Sequence, residues 1–521
     1  MKLIKSTAII GAFTLISRVL GLARDILMAR FLGAGPVTDA LFTATKLPNL
    51  FRRVFAEGAF NAAFIPLYAK RLETEGNEAA NSFAAEAMSA LLVTVAALVI
   101  AFELTMPIAM NLLGAGLSRT EIDGGYSPFN LAVMYGYVTM PYLAFMSMAA
   151  LFSGVLNTRH YFAVAAAAPI ALNVLWVGVL LSAGVADWSK IQLGLYIAIA
   201  MTVSGALQLG LVIWGCRRAG VKIGFVRPRL TPGVRRLFTL GIPGAIAAGI
   251  TQINLMISHN IATTQANAAS WLNYADRLYQ LPLGMIGIAL GIALLPALSR
   301  ALRAGDSAGA GNSMNRALEI SAFLTLPAAC ALAVMPDFLI AGLFQSGAFS
   351  ASDTGQTAKA LRMFALGLPA FVLIKILTPA FFARENTRTP MVYAGISAII
   401  NVALGAFLFF TVGFFGLALA TSVAAWANVV LLSRTLFKSG HLVLDARLRS
   451  KLPRIVMASV IMAAGVYWLS SYFSDQIGGR VVMDLALLGF VSVAGFTLYL
   501  LAAVPLGAIS KSDIKIAFRK R

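Results

Sequence analysis

Basic side chains occur inside stretches of sequence that are otherwise too apolar to carry charge. The clearest are Arg18, Arg24, Lys46, Arg52 and Arg277, each within a run long enough to cross a bilayer. An arginine at mid-bilayer depth costs at least ~2.5–3.5 kcal/mol, so such groups must face a hydrated cavity or a carboxylate. A guanidinium stays charged when it is desolvated and binds phosphate oxygens in pairs. The pattern therefore predicts a site for an anionic ligand, and a diphosphate fits it well.

An alternative is that these cations only form buried ion pairs that hold helices together. Helical spacing puts Arg18 and Asp25 on one face of the first span, and Lys46 with Asp39 on one face of the second. Cations nevertheless outnumber acids within the spans, which favours an anionic ligand. The in-span cations are Arg18, Arg24, Arg30, Lys46, Arg52, Arg53, Arg277, Lys359, Arg362 and Lys375, and the carboxylates are Asp25, Asp39, Glu57, Glu103 and Asp276.

The elements that position these residues are predicted to be membrane-spanning helices. Of 521 residues 59% are hydrophobic and only 12% are charged, with a mean hydropathy of +0.82, whereas soluble domains have roughly 25% charged residues. We predict an all-α polytopic membrane protein of about fourteen spans. They cover about 7–33, 37–69, 82–113, 126–156, 160–185, 190–215, 232–259, 268–299, 313–335, 357–383, 390–411, 414–437, 453–473 and 482–507. Prolines inside these spans are expected to mark bends rather than ends.

The distribution of lysine and arginine predicts the orientation in the membrane. Of the 41 such residues, 28 fall in the predicted inner segments, and only Arg119, Lys190 and Arg480 fall in outer loops. This asymmetry predicts cytoplasmic termini, with the first apolar run retained as a span. It also accounts for the net charge of +20 without nucleic acid as a partner.

Short matches within the chain predict an internal repeat. Lys46-Leu-Pro48 resembles Gln280-Leu-Pro282, and Asn157-Thr-Arg159 resembles Asn386-Thr-Arg388, at offsets of 234 and 229 residues. The predicted division is an N-lobe at 1–220, a C-lobe at 221–440, and two further helices with a basic tail at 441–521. Lobes of six spans each are parallel copies, so the ligand site is expected between them.

The sequence predicts neither a cofactor nor a metal centre. Two cysteines, Cys216 and Cys330, and three scattered histidines form no ligand set with recognisable spacing. The predicted outer loops are short and carry no convincing pair of catalytic carboxylates, which argues against a glycosyltransferase. A transporter rather than an enzyme is expected.

Three segments resemble the MurJ (MviN) family, the lipid II flippases of the multidrug/oligosaccharidyl-lipid/polysaccharide exporter superfamily. They run from Ser17 to Asp25 (SRVLGLARD), from Thr38 to Phe60, and from Ser270 to Arg277 (SWLNYADR). The likeness extends over all fourteen spans and is weakest in the last two. It implies a multi-pass protein of the bacterial inner membrane. Such a protein moves lipid II, the undecaprenyl-diphosphate-linked peptidoglycan precursor, to the outer leaflet by alternating access.

The resemblance also assigns roles to individual positions. Arg18, Arg24, Arg52 and Arg277 match the positions that bind the diphosphate and headgroup. Positions with gating or supporting roles match Asp25, Asp39, Lys46, Asn49, Glu57, Ser270 and Asp276. Spans 13 and 14 are expected to hold the polyprenyl tail. Expected partners are lipid II, membrane lipids and the cell-division or elongation machinery.

Two departures from the family pattern bear on the energy source. Some members have a carboxylate where this chain has Gln280, and some bind sodium through carboxylates on spans 7 and 11. Here those spans offer only Asn254, Ser397 and Asn401, so we expect a weak sodium site or none. Two alternatives share the fold class, a flippase for another polyprenyl-diphosphate-linked oligosaccharide and a small-molecule exporter of the MATE type. The exporter should have an acidic or apolar cavity rather than one rich in arginine.

Overall fold

The computed structural model describes residues 2–53, 60–122, 124–478 and 480–509, and this part of the chain is helical, with a single isolated bridge between Ile122 and Tyr126. The first half contains α1 (Lys2–Leu32), α2 (Pro36–Phe51), α3 (Phe60–Thr74), α4 (Gly76–Leu104), α5 (Met106–Leu113), α6 (Pro128–Thr139), α7 (Tyr142–Thr158), α8 (Phe162–Ala167), α9 (Ile170–Ala183) and α10 (Lys190–Arg218). The second contains α11 (Pro232–Ala262), α12 (Ala268–Pro282), α13 (Ile288–Arg303), α14 (Ser307–Val334), α15 (Pro336–Phe344), α16 (Ala351–Phe382), α17 (Arg388–Val412), α18 (Phe415–Lys438), α19 (Ala446–Tyr472) and α20 (Val481–Ala503).

The helices confirm a polytopic membrane protein. Ten segments of the described chain are long and apolar enough to cross a bilayer, with α6–α7 and α8–α9 each counting as one. The other four predicted spans correspond to α1, α2 with α3, α11, and α12 with α13. Three of these contain the in-span arginines considered above, because a helix that lines a polar site gives up part of its apolar character.

Prolines affect the spans in two ways. Pro48 and Pro66 lie inside α2 and α3, as predicted for bends. Pro141 was also predicted to bend a span, and it lies in a two-residue break between α6 and α7, inside the single apolar segment Pro128–Thr158. A proline removes one backbone donor and clashes with the preceding turn, so the helix restarts after it. Pro282 ends α12, and a single π-helical turn, Leu283–Gly287, connects it to α13.

The chain divides into two compact units, Met1–Ser270 and Trp271–Arg521. Helix α11 belongs to the first unit because its N-terminal end is fixed to α4. The Thr231 hydroxyl donates to a Glu86 carboxylate oxygen at 2.7 Å, and the Val226 amide donates to the Ser89 hydroxyl at 3.1 Å. The division into lobes at 220 and 440 rests on the sequence repeat and stays a prediction.

Small residues set the helix packing in both units. In the first unit a Cβ on Gly205 of α10 would lie 2.8 Å from the Tyr142 ring of α7. In the second, a Cβ on Gly367 of α16 would lie 2.4 Å from the Ser422 hydroxyl of α18. Without a hydrophobic drive between helices in lipid, such close backbone approach supplies the packing energy.

A charge cluster joins α14 to the start of α19. The buried Glu319 carboxylate accepts hydrogen bonds from Lys451 Nζ at 2.6 Å and from Arg447 Nε and Nη2 at 3.1 and 2.9 Å, and it also pairs with Arg316. Arg316 also pairs with Asp445. Burial raises the pKa of Asp445, but the Leu448 amide and Arg316 outweigh it and hold the value below the usual range. The cluster fixes the start of α19 to α14.

Replacing Glu319 with alanine is expected to destabilise the second unit by about 3–5 kcal/mol, because three cations then lose a shared buried anion. Thermal unfolding of the purified protein in detergent measures this. Asp337→Ala is the matched control, since Asp337 pairs with Arg362 at 3.3 Å on the exposed surface and such pairs contribute about 0–1 kcal/mol. Equal unfolding midpoints for the two variants would contradict the assignment.

Candidate functional site

Arg24 is the most constrained of the predicted site arginines. It is buried in α1, and its Nε and Nη2 donate to one oxygen of Asp25 at 3.0 and 2.7 Å. Its Nη1 donates to Asn173 Oδ1 at 3.0 Å, and its guanidinium lies 5.1 Å from the centre of the Trp176 ring. Asp25 therefore pairs with its neighbour Arg24 rather than with Arg18. The site contains two α9 residues that the sequence had not marked as functional.

The other site residues of the first unit lie on α1 and α2. Arg18 is half-buried and makes no ion pair with any other residue in the described ranges. At the end of α2, Arg52 Nε donates to Asn49 Oδ1 at 3.2 Å, and Asn49 Nδ2 donates to the Thr45 carbonyl at 2.8 Å. Asn49 thus orients Arg52 along the helix, as their neighbouring positions predicted. Glu57 lies outside the described residues.

Asp39 at the start of α2 makes a contact that local spacing did not predict. One carboxylate oxygen accepts from the Asn267 amide at 2.9 Å, and the other accepts from both the amide (2.8 Å) and the hydroxyl of Ser270. The suggested pair with Lys46 is therefore not what holds Asp39. Three donors converge on one buried carboxylate and bind α2 to the start of α12.

The same junction includes a buried histidine. The Thr43 hydroxyl donates to the Asp39 carbonyl at 2.7 Å and lies 2.9 Å from His259 Nε2. Because that hydroxyl proton is already used, Nε2 must be the donor, which fixes the neutral tautomer of the ring. His259 attaches α11 to α2 one turn below Asp39. A lone histidine in an apolar span was the only sequence signal for this contact.

Backbone contacts complete what we call the Asp39 junction, formed by Asp39, Thr43, Gly116, His259, Asn260, Thr263, Asn267 and Ser270. The Gly116 amide donates to the Thr263 hydroxyl at 3.3 Å, and Asn260 Nδ2 donates to the Leu112 carbonyl at 2.6 Å. A Cβ on Gly116 would lie only 2.3 Å from the Thr264 nitrogen. The end of α11 can reach this position only if residue 116 has no side chain.

Gly116→Ala is expected to loosen the junction, because the Thr263–Thr264 backbone must move away from the new methyl group. Hydrogen exchange of a peptide covering residues 263–271 should quicken roughly tenfold, which is about 1.4 kcal/mol of local opening. Gly178→Ala is the control, since nothing lies within 4 Å of a Cβ there. Unchanged exchange in the Gly116 variant would show that the close approach is not needed.

In the second unit the predicted residues lie on α12. Its apolar face is buried, with Tyr274 and Leu278 inward, whereas Arg277 is exposed. The half-buried Asp276 accepts a hydrogen bond from Gln280 Nε2. The amide of Gln280 thus turns towards an acid on the same helix. The cation and the acid lie about two helical turns before the π-helical turn.

The sodium candidates are engaged with the protein itself. The Ser397 hydroxyl donates to the Ala424 carbonyl at 2.7 Å, and Asn401 Oδ1 accepts from the Thr421 hydroxyl at 3.2 Å. Asn254 is half-buried on α11. No group of three or more His, Cys, Asp or Glu side chains suited to a metal ion occurs in the described ranges.

Comparison with known proteins relates this arrangement to a family. The family profile described as "Lipid II flippase MurJ" matches residues 28–487. A protein of Rhizobium meliloti (strain 1021), named "Probable lipid II flippase MurJ", is 43% identical over 100% of this chain and 97% of its own length. The chain belongs to the MurJ family. A second member, "Lipid II flippase MurJ" of Burkholderia cenocepacia, is 34% identical over 100% of this chain and 99% of its own length.

Solved structures agree with membership of the MurJ family. One titled "Lipid II flippase MurJ, inward closed conformation" has a TM-score of 0.76 at 25% identity and covers 95% of this chain and 97% of its own. An inward-facing multidrug resistance transporter of the MATE family reaches a TM-score of 0.68 at 16% identity, covering 82% of this chain and 95% of its own. The second likeness shows a shared fold only.

Proposed function

We propose that the protein is a flippase that moves lipid II from the inner to the outer leaflet of a bacterial cytoplasmic membrane. The observation that carries the proposal is the family match, which extends from end to end at 43% identity to a relative named as a probable lipid II flippase. The arginines fit that cargo chemically, because a diphosphate offers paired oxygens to a guanidinium fork. We propose Arg18, Arg24, Arg52 and Arg277 as the headgroup contacts.

The contacts of Arg24 support an exchange mechanism. Asp25 occupies Nε and Nη2, the two donors that form a fork. A phosphate oxygen pair can bind there only after Asp25 leaves, and Asp25 can later displace the phosphate. The carboxylate thus acts as an internal competitor that keeps binding reversible, which a transporter needs to release its cargo.

We propose that the Asp39 junction closes one end of the path in the present conformation. With both termini cytoplasmic, α1 crosses outward and α2 begins at the outer side, so the junction lies on the outer face. Breaking the bonds of Asp39 to Asn267 and Ser270 is then a requirement for outward opening, and re-forming them resets the protein. Alternating access follows from exchange between these two states.

We propose that the final two helices accommodate the polyprenyl tail. Helices α19 and α20 pack on each other and on α14 and α15 through a buried apolar cluster that includes Met335, Ile455, Val466, Val491 and Tyr499. Their other faces expose large apolar side chains such as Tyr467, Trp468 and Phe496. An apolar tail can remain there in lipid while the headgroup crosses. Association with the cell-division or elongation machinery stays a prediction from the family resemblance.

Reconstitution tests the proposal directly. Purified protein in liposomes should translocate lipid II, measured by access of an externally added enzyme to the headgroup. Translocation of another undecaprenyl-diphosphate sugar at the same rate, with none for lipid II, would favour the alternative oligosaccharide flippase. Export of organic cations would favour the MATE-type alternative, which the excess of in-span arginine argues against.

A further inference from the structure

We infer that Asn173 and Trp176 of α9 are positioning residues that hold the Arg24 guanidinium ready for phosphate. The inference rests on the proposed function and concerns residues with no assigned role. Both side chains are buried and stand three residues apart, on one face of α9. They contact the parts of the guanidinium that Asp25 does not. Asn173 accepts a hydrogen bond from Nη1, and the Trp176 ring lies against the flat face.

The orientation of the Asn173 amide is fixed by α1 itself. Its Nδ2 donates to the Ser17 carbonyl at 3.0 Å and lies 3.3 Å from the Ser17 hydroxyl. Both are acceptors for the amide nitrogen, so Oδ1 must point away from Ser17 and towards Arg24. Ser17 and Arg24 are seven residues apart, two turns along the same helix face. The single Asn173 amide therefore contacts Ser17 and Arg24, two turns apart on α1, and sets the direction of the arginine side chain.

Trp176 acts through its ring rather than its indole N–H. The Nε1 proton has no hydrogen-bond partner among the described residues although it is buried. The interaction that orients the ring is therefore the one on its face, where the guanidinium lies 5.1 Å from the centroid. A desolvated cation–π contact of this kind is attractive and uses none of the N–H donors at the edge of the guanidinium.

Together the two contacts pre-organise the arginine for its ligand. A free arginine side chain loses much rotamer freedom when it is ordered. Here Asn173 and Trp176 have already ordered it, and neither uses Nε or Nη2. When phosphate replaces Asp25 on those two donors, the rest of the guanidinium does not need to move. The two residues should therefore affect affinity for lipid II and do so through Arg24.

The same two contacts occur elsewhere in this unit on exposed surfaces, which provides matched controls. Arg119 Nη2 donates to Asn111 Oδ1 at 3.1 Å, and Arg218 lies 4.7 Å from the centre of the Trp214 ring. Asn111→Ala and Trp214→Leu remove the same chemistry without touching Arg24. They should bind lipid II as the wild type does.

The test is a double-mutant comparison of lipid II affinity on purified protein in nanodiscs, with elution and thermal unfolding checked for each variant. We expect Asn173→Ala and Trp176→Leu each to weaken binding about three- to tenfold, and Trp176→Phe, which keeps an aromatic face, to weaken it less. In an Arg24→Ala background, where the other arginines keep residual binding measurable, both effects should disappear.

Each contrary result has a distinct meaning. Wild-type affinity in both single variants, or an undiminished effect in the Arg24→Ala background, overturns the positioning role and leaves the proposed function intact. Normal binding by Arg24→Ala alone removes Arg24 from the headgroup site and overturns the inference with it. If one single variant does not fold, the other carries the test, because Asn173 and Trp176 act on separate parts of the guanidinium.

Discussion

Lipid II translocation is expected to fall at least about 100-fold when Arg24 is replaced by alanine. The variant loses a buried guanidinium, and each hydrogen bond from such a charged group to the headgroup contributes about 1.5–3 kcal/mol to binding. It also removes the cation that pairs with the Asp25 carboxylate at 2.7 Å. The measurement is headgroup accessibility in proteoliposomes, with growth of a flippase-depleted strain as a second readout.

Arg277→Ala should have a comparable effect, because it removes the exposed cation of α12 in the second unit. Arg30→Ala is the control on the same helix as Arg24. Arg30 is exposed near the end of α1, and its guanidinium lies 5.9 Å from the centre of the Phe31 ring. Growth of the depleted strain at wild-type rates with either Arg24→Ala or Arg277→Ala would refute the arginine site. Loss of growth with Arg30→Ala would point to a general effect of charge.

Asp39→Asn is expected to open the Asp39 junction and stop transport. An amide keeps one oxygen for the Ser270 donors but turns an NH2 towards the Asn267 amide, so that two donors face each other. The lost charged bond and the new clash should weaken closure by about 2 kcal/mol or more, roughly a 30-fold shift between states. Hydrogen exchange of residues 263–271 should rise while translocation falls.

Ser270→Ala should weaken the junction less than Asp39→Asn, because the two backbone amides still bind the carboxylate. Asp475→Asn, an exposed acid beside Ser474, provides the control. An Asp39→Asn variant with wild-type exchange and transport would show that these bonds do not limit opening. Exchange that rises without any loss of transport would separate closure from function.

Much of the architecture was predictable because lipid imposes simple rules on a chain. The spans predicted at about 357–383 and 390–411 correspond closely to α16 (Ala351–Phe382) and α17 (Arg388–Val412), since a span must satisfy its own backbone. Asn49 and Arg52 met as helical spacing predicts. A bend at Pro141 was predicted, but the interruption of the helix there was not, because periodicity does not tell whether neighbouring groups will accept a freed carbonyl.

The partners of the charged residues were harder to predict. Spacing along one helix suggested Arg18 for Asp25 and Lys46 for Asp39, but Asp39 is satisfied from residues 228 and 231 positions away. Such donors depend on how separate helices pack, which no local pattern encodes. Nothing in the sequence marked Asn173 as the partner of Arg24.

Two of the three hydrogen bonds that hold Asp39 come from peptide nitrogens. At Gly116 the backbone packs directly against the backbone of Thr263 and Thr264. Replacing side chains one at a time leaves peptide nitrogens in place, so an alanine scan would report Asp39 as critical and show little at residue 267. A junction built on backbone contacts tolerates side-chain substitutions at the residues that supply those contacts. Its failure would instead be caused by proline or by added bulk, and those substitutions are the ones to include in a genetic screen.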